Sequence, residues 1–367
     1  MRIVSWVIAI AILSGMLAAT VGAADEMHAL INRLVAVHLK PAAGFTARML
    51  VPPGQLYDPL VMRIHGDVVW LNDDGKEEDG KGSRLISVDA HGEVSVLVDA
   101  NKLAPISAGF DIAPDGFGEF GGQVFALSQP EVGDKGGMEN YIIQRIDPRN
   151  GYAVSIFCTL PPHGGKVSGI GVDASFGPPG SPFGGELYAT SSVDDTIYKI
   201  TPNGKSTPFV TFDADRYGAP LYLRFAPDGK SLLVAVVRGG IFTPRGSAII
   251  RLMPDGKVDG RPLAESPTLF GSFDFAPEGF GPYAGQLFVT DVGHYEIPVP
   301  LGQALRADGK IYRVTLTGEL ELVASGFINP WDLRFFKQTL WVSDVNGDFI
   351  YGHRELPDGF IAEISAQ

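Results

Sequence analysis

SFDFAPEGFGPYAGQLFVTD, residues 272–291, reads as a strand (Phe273–Ala276), a glycine-rich turn (Pro277–Gly285) and a second strand (Gln286–Asp291). The same phrase occurs earlier as GFDIAPDGFGEFGGQVFALS at Gly109–Ser128. It returns with a longer turn as GIGVDASFGPPGSPFGGELYATS at Gly169–Ser191. Shorter versions are LRFAPDGKSLLVAV (Leu223–Val236), DLRFFKQTLWVSD (Asp332–Asp344) and VMRIHGDVVWLNDD (Val61–Asp74). Six copies, each followed by further strand-like sequence, specify an array in which one unit buries its apolar face against the next.

The sixth copy runs out early. After WDLRFF and TLWVSD it holds only GFIAEIS before the sequence ends, so it is one strand short. Gly44–Pro52, GFTARMLVP, precedes the first copy and resembles the strands that end other groups, such as VSVLVD and LELVAS. Supplying the last unit with the first strand would tie the ends of a ring together and remove an open edge. The expected fold is therefore all-β, a six-bladed β-propeller over residues 44–367, closed by an N-terminal strand. A sandwich would not account for six similar units.

Composition agrees with a turn-rich folded chain: 45% of 367 residues are hydrophobic, with 46 glycines and 27 prolines. Residues 1–23 stand apart. Arg2 is followed by the uncharged run Ile3–Ala19 and by Thr20-Val21-Gly22-Ala23, the pattern of a secretory signal cut after Ala23, which implies a periplasmic or secreted protein. The competing reading is a retained membrane anchor. Residues 24–43 read as a short amphipathic helix and linker, with Met27, Leu30, Ile31, Leu34 and Val35 at helical spacing, Asp25 as cap and Pro41 as stop. A net charge of −13 disfavours nucleic acid as a partner. The partner expected is a small molecule, with no stable membrane insertion once the signal is removed. Cys158 is the only cysteine, so no intramolecular disulfide can form, and SIFCTL places it as a small hydrophobe in a strand.

Three constellations carry chemical expectations. The first is a charge series in the leading strands: Met62-Arg63-Ile64, Phe110-Asp111-Ile112, Val172-Asp173-Ala174, Leu223-Arg224-Phe225, Phe273-Asp274-Phe275 and Leu333-Arg334-Phe335, with Gly171 as the alternative position in the third. Charges flanked by apolar residues in buried strands must be paired or wet, so a belt of interblade ion pairs is expected. At the closing seam Arg63 and Arg334 stand in adjacent blades. Either Asp58 and Asp332 offset them, or an anionic ligand binds there. The second is Asp344-Val-Asn346-Gly-Asp348 with Glu355, whose oxygen spacing matches a calcium loop except that Phe349 stands where glycine is expected; calcium is the candidate cofactor. The third is a ring of strand-end residues, Asp73, Ser128, Ser191, Val236, Asp291 and Asp344, at one mouth of the channel. Asp291 and Asp344 could act there as a carboxylate pair, or could cap turns. His294 opens the long insert Gly293–Asp308 and is the candidate catalytic histidine. That insert and the loop Glu131–Asn140 are expected on one face.

LRFAPDGKSLLVA (Leu223–Ala235) and ASGFINPWDLRFFKQTLWVSD (Ala324–Asp344) resemble the six-bladed superfamily that contains gluconolactonase and senescence-marker-protein relatives, NHL-repeat proteins and soluble quinoprotein sugar dehydrogenases. The resemblance spans Tyr57–Ser365 and is specific for architecture. For the lactonase branch it implies a divalent ion held by Glu, Asn, Asn and Asp at the starts of inner strands. Those positions fall here near Tyr57-Asp58, near Ser168, on Leu221 and on Gly271, and leucine and glycine side chains cannot ligate a metal. For the sugar dehydrogenase branch it implies a quinone beneath a catalytic His and Arg. His65, His163 and His294 are present, but none lies in a matching motif. The expected function is binding of a small polar or anionic ligand at the channel mouth, with a metal-dependent lactone or ester hydrolase and a quinone-dependent sugar oxidoreductase as alternatives.

Overall fold

The computed structural model describes residues 37–74, 83–104, 107–128, 141–161, 172–239, 244–293, 308–345 and 357–367. The signal segment and residues 24–36 of the expected helix lie outside them. The end of that expected helix is a strand instead: β1 (Lys40–Pro41) pairs antiparallel with the outer edge of the fifth blade, where Pro41 has already removed a ladder donor. β2 (Phe45–Leu56) then crosses to the sixth blade.

Six antiparallel meanders follow the sequence copies in order. Blade one is β3 (Asp58–His65), β4 (Val68–Asp74), β5 (Arg84–Asp89) and β6 (Val94–Val98). Blade two is β7 (Ser107–Ile112), β8 (Val124–Ser128), β9 (Ile142–Asp147) and β10 (Ala153–Thr159). Blade three is β11 (Ala174–Phe176), β12 (Leu187–Ser191), β13 (Thr196–Ile200) and β14 (Ser206–Thr211). Blade four is β15 (Ala219–Phe225), β16 (Leu232–Val237), β17 (Ser247–Leu252) and β18 (Ala264–Ser266). Blade five is β19 (Phe270–Phe275), β20 (Leu287–Asp291), β21 (Gly309–Val314) and β22 (Leu320–Phe327). Blade six is β23 (Pro330–Phe336), β24 (Thr339–Asp344) and β25 (Gly359–Ala366), completed by β2. The closing pairing runs from Phe45 against Ala366 to Leu56 against Gly359. Closure covers the outer edge of β25 and so ties the two ends of the ring together. Cys158 sits at a bulge of β10 and is only half-buried; burial still pushes its thiol up to about 11.

The glycine-rich turn holds an aromatic knob, and this explains why the phrase recurs. In the three long copies the turn aromatic packs edge-on against the second strand of its own blade and the first strand of the next. Phe117 lies 5.3 Å from Phe125 and 4.8 Å from Phe176. Phe183 lies 5.9 Å from Tyr188 and 4.9 Å from Phe225. Phe280 lies 5.5 Å from Phe288 and 4.8 Å from Phe335. Each knob is fully buried, so the turn seals a blade seam with large apolar area and favourable ring geometry.

The first strand of five blades carries a bulge at one level, between Pro59 and Val61, Ser107 and Phe110, Pro220 and Leu223, Phe270 and Phe273, and Pro330 and Asp332. A bulge frees backbone groups that need partners. Hydroxyls at one position of the second strand supply them. Thr190 accepts from Asp173 N at 2.9 Å and donates to Leu221 O at 2.9 Å. Thr290 donates to Ser272 O and Trp331 O, and Ser343 accepts from Asp332 N.

The connections from β4, β8, β16, β20 and β24 to the strands after them, and those into β7 and β11, all leave from the face where the first strands begin. Every internal segment outside the described residues therefore attaches to this one face, including the insert after Gly293 and the loop after Pro130.

Candidate functional site at the channel mouth and waist

Pairing with the second strand fixes equivalence among blades. Met62, Phe110, Ala174, Leu223, Phe273 and Leu333 oppose Leu71, Ala126, Ala189, Val234, Val289 and Val342. The belt position is the next residue: Arg63, Asp111, Ser175, Arg224, Asp274 and Arg334. This corrects the sequence alignment in blade three, where Ser175 takes the place expected for Asp173. Asp173 stands one place before Ala174, as Asp332 stands one place before Leu333.

That shift builds a two-layered lock across the channel. Arg63 donates to Asp173 Oδ1 at 2.5 Å and lies 3.6 Å from Asp111. Asp173 Oδ2 accepts from Leu223 N at 3.1 Å and Arg224 Nη1 at 3.3 Å. Arg224 Nη2 lies 3.8 Å from Asp332 Oδ1, and Arg334 Nη1 lies 2.8 Å from the same oxygen. Asp332 Oδ2 accepts from Met62 N at 2.6 Å, so the sixth blade is tied to the first. Further out, Asp111 accepts from Phe176 N at 2.8 Å and Asp274 from Phe335 N at 3.3 Å. The belt of interblade pairs is present, and four of its carboxylates also accept backbone N–H groups of the following blade, which fixes their geometry.

The two seam arginines converge on one backbone acceptor. Arg63 Nη1 and Arg334 Nε donate to Met62 O at 2.9 and 3.0 Å. Of the acids expected to offset them, Asp332 pairs with Arg334, while Asp58 is buried nearer the mouth, opposite Asp74. Arg63 instead reaches across to Asp173, a partner 110 residues away in sequence.

At the mouth the strand-end carboxylates are engaged one by one. Asp73 accepts from Tyr57 N at 2.9 Å and Arg84 Nε at 2.7 Å. Asp291 accepts from Ser266, Thr268 and Gly293 N at 2.7–2.9 Å. Asp344 accepts from Ile328 N at 2.9 Å and Asn329 N at 3.0 Å. Asp291 thus ties the connection between blades four and five to blade five, and Asp344 serves the turn that leads into its own blade. His294, Asn346, Asp348 and Glu355 lie outside the described residues, and so do His163 and Ser168. His65 is exposed on the far side of β3, its ring 4.1 Å from Trp70.

The same register tests the fold's metal positions. Leu221 and Gly271 stand two places before the aligned residue, and Leu60 and Val172 are their counterparts in blades one and three, displacing the expected Tyr57-Asp58 and Ser168. None of the four carries an oxygen ligand. Gly271 cannot gain one either: a Cβ there would lie 2.4 Å from Thr290 Oγ1 and 2.6 Å from Trp331 O. The residues present do not fit the metal. Among the described residues no group of three His, Cys, Asp or Glu is placed to hold an ion. Tyr222 fills the space beneath this level, its ring 6.4 Å from that of Trp331 two blades away.

Two residues that the sequence reading passed over stand out. The Asn329 amide is fully buried, and neither its nitrogen nor its oxygen has a partner. The Tyr222 hydroxyl is likewise buried without one. Tyr222 carried a signal, since it occupies a place held by glycine or serine in two other copies. Asn329 carried none beyond preceding Pro330.

Burial pushes the Asp73 carboxyl up to about 6 against the pull of Arg84, and Asp332 up to about 6 against Arg224 and Arg63. A carboxyl whose folded pKa lies above its unfolded value near 3.8 binds its proton more tightly when folded. Its contribution to stability is fully present below about pH 4 and lost as pH rises through about 6. Asp73→Asn should therefore flatten part of the fall in urea midpoint between pH 4 and 6. An identical pH slope in parent and variant would contradict this.

A scan against protein-family models and a search of curated proteins both find no match. Solved structures do match in fold. A protein of Thermus thermophilus assigned as an oxidoreductase (glucose dehydrogenase) is 18% identical, with a TM-score of 0.56 over 88% of this chain and 100% of its own. A catalytically inactive virginiamycin B lyase from Staphylococcus aureus with quinupristin is 15% identical, with a TM-score of 0.51 over 88% and 100%. A protein assigned as a gluconolactonase is 14% identical, with a TM-score of 0.53 over 90% and 98%. At these identities the likeness is one of fold: the chain is a six-bladed β-propeller like theirs.

Proposed function

We propose that this propeller is an exported binding module that takes a small polar, hydroxyl-rich ligand at the mouth where its first strands begin. Export rests on the Arg2-led apolar run and its small-residue end. The observation that carries the binding reading is the Asn329 amide. A buried donor and acceptor side by side, both unused, cost stability unless a ligand completes them. Adjacent hydroxyls of a sugar or polyol offer the complementary acceptor and donor. Trp331, two residues on, is a largely buried aromatic ring on the same strand entry. The lock of buried ion pairs crosses the channel beneath, so a ligand for Asn329 would approach from the mouth. Binding is preferred to hydrolysis because Leu60, Val172, Leu221 and Gly271 offer no metal ligands, and because the carboxylates of Asp291 and Asp344 are committed to backbone and hydroxyl donors. The gluconolactonase and oxidoreductase assignments of proteins with this fold make sugars and lactones the first compounds to try.

The test is isothermal calorimetry of the parent and Asn329→Ala with sugars, polyols and sugar lactones, and recovery of each compound afterwards. Saturable binding of one class, weakened about tenfold by Asn329→Ala and with the compound recovered unchanged, is the expected result. Binding unaffected by Asn329→Ala, or catalytic conversion of the compound, would overturn the reading.

A further inference from the structure

We propose that the cleft between blades four and five, on the face opposite the mouth, binds a small neutral aromatic molecule. Its ring takes the place that a turn phenylalanine fills at other seams. There the knobs Phe117, Phe183 and Phe280 meet Phe176, Phe225 and Phe335 of the next blade. Each of those partners pairs with a leucine near the start of the second strand, Leu187, Leu232 or Leu340. Phe275 holds the same position in blade five, paired with Leu287. The blade before it has the short turn Ala226–Ser231, APDGKS, which carries no aromatic residue. Phe275 is therefore only half-buried and meets no other ring among the described residues. The short turns of blades six and one face Ile64 and Ile112 instead, which offer no ring to pack against.

The missing knob leaves a cavity of about 930 Å³ lined by Phe275, Leu287, Val314, Leu263 and Leu316. That is a usual size for a small-molecule site. The row behind Phe275 records the opening. Leu287 and Val314 are 6% and 7% exposed, whereas their counterparts Leu187, Ile200, Leu232, Leu252, Leu340 and Ile364 are all at 0%. The walls are fixed by backbone contacts. Leu263 N donates to Ile249 O at 2.7 Å, and a Cβ on Gly318 would lie 2.7 Å from Leu263 O, so the loop before β18 rests on the hairpin tip of blade five. Glu319 N donates to Thr315 Oγ1 at 3.0 Å and holds that tip. Arg251 and Arg313 are balanced around the cavity by Glu319 and Glu321, so charge favours a neutral guest. Edge-to-face ring packing adds to area burial, so a flat ring is favoured over an aliphatic one. The polar rim suits a hydroxyl or amine substituent on that ring.

Two measurements on the full chain test this. Crystals soaked in 4-bromophenol, with diffraction recorded at the bromine edge, should show an anomalous peak in this cleft with the ring edge-on to Phe275. Calorimetry should show saturable binding of phenol, with cyclohexanol about tenfold weaker. Phe275→Leu keeps an apolar side chain but loses the ring. It should weaken phenol about fivefold and leave cyclohexanol unchanged. Asn329→Ala should leave phenol binding unchanged, which separates this cleft from the mouth. Cyclohexanol bound as tightly as phenol, or equal phenol affinity in parent and Phe275→Leu, would overturn the proposal. So would a bromine peak only at other places, binding at crystal concentration only, or a dimer in solution that buries the cleft and excludes phenol.

Discussion

Phe280→Ala is expected to destabilise the protein by about 3–5 kcal/mol, read as a lowered urea midpoint. The ring is 1% exposed and lies within 5.5 Å of Phe288 and 4.8 Å of Phe335, so its removal leaves a cavity lined by two blades. Neither wall can collapse into that space, because each ring is fixed by a strand held in its blade's ladder. The neighbouring seam is the one that β2 closes, so loss of the knob weakens the ring next to its closure. Phe117→Ala and Phe183→Ala should behave alike, since each fills the same role at its own seam. Leu316→Ala is the contrast: that side chain is fully exposed, and its loss should stay within about 0.5 kcal/mol. A loss below about 1 kcal/mol for Phe280→Ala would mean that the turn aromatic is not what seals the seam.

Asp173→Asn should cost a similar amount, about 3–5 kcal/mol, for an electrostatic reason. This carboxylate is wholly buried and answers two cations from different blades, Arg63 at 2.5 Å and Arg224 at 3.3 Å. The amide preserves shape and can still accept from a backbone N–H, but it leaves both guanidinium groups without their shared counter-charge. Adding Arg63→Met should recover part of the loss, since the variant then buries one fewer unpaired cation. A double variant whose loss equals the sum of the single losses would show that the two side chains are not coupled.

The blades were legible because they are local. A strand, a turn with fixed glycines and a second strand recur within about twenty residues, and the alternation of apolar and polar residues survives without knowledge of neighbours. The closing strand was legible for the same reason: Gly44–Pro52 has the pattern of a fourth strand, and the sixth group lacks one. Lys40, the last residue of the expected N-terminal helix, is instead recruited with Pro41 to the edge of blade five by tertiary pairing that no local periodicity announces. Gly326 leaves room for that crossing: a Cβ there would lie 2.1 Å from His38 O.

What the sequence by itself determined is the architecture: six copies, their turns, the ring's closing strand and a belt of alternating charges. Which charge meets which was decided by the tertiary structure. Asp173 enters the lock only because the register of blade three places Ser175 on the belt. Arg63 passes over Asp58, five residues away, for a carboxylate 110 residues along the chain. Bulges shift register without changing the apolar pattern, and contacts across a channel join strands that no local periodicity relates. The same physics hid the apolar level of Leu60, Val172 and Leu221, and the unsatisfied atoms of Tyr222 and Asn329, until the blades stood around a common axis.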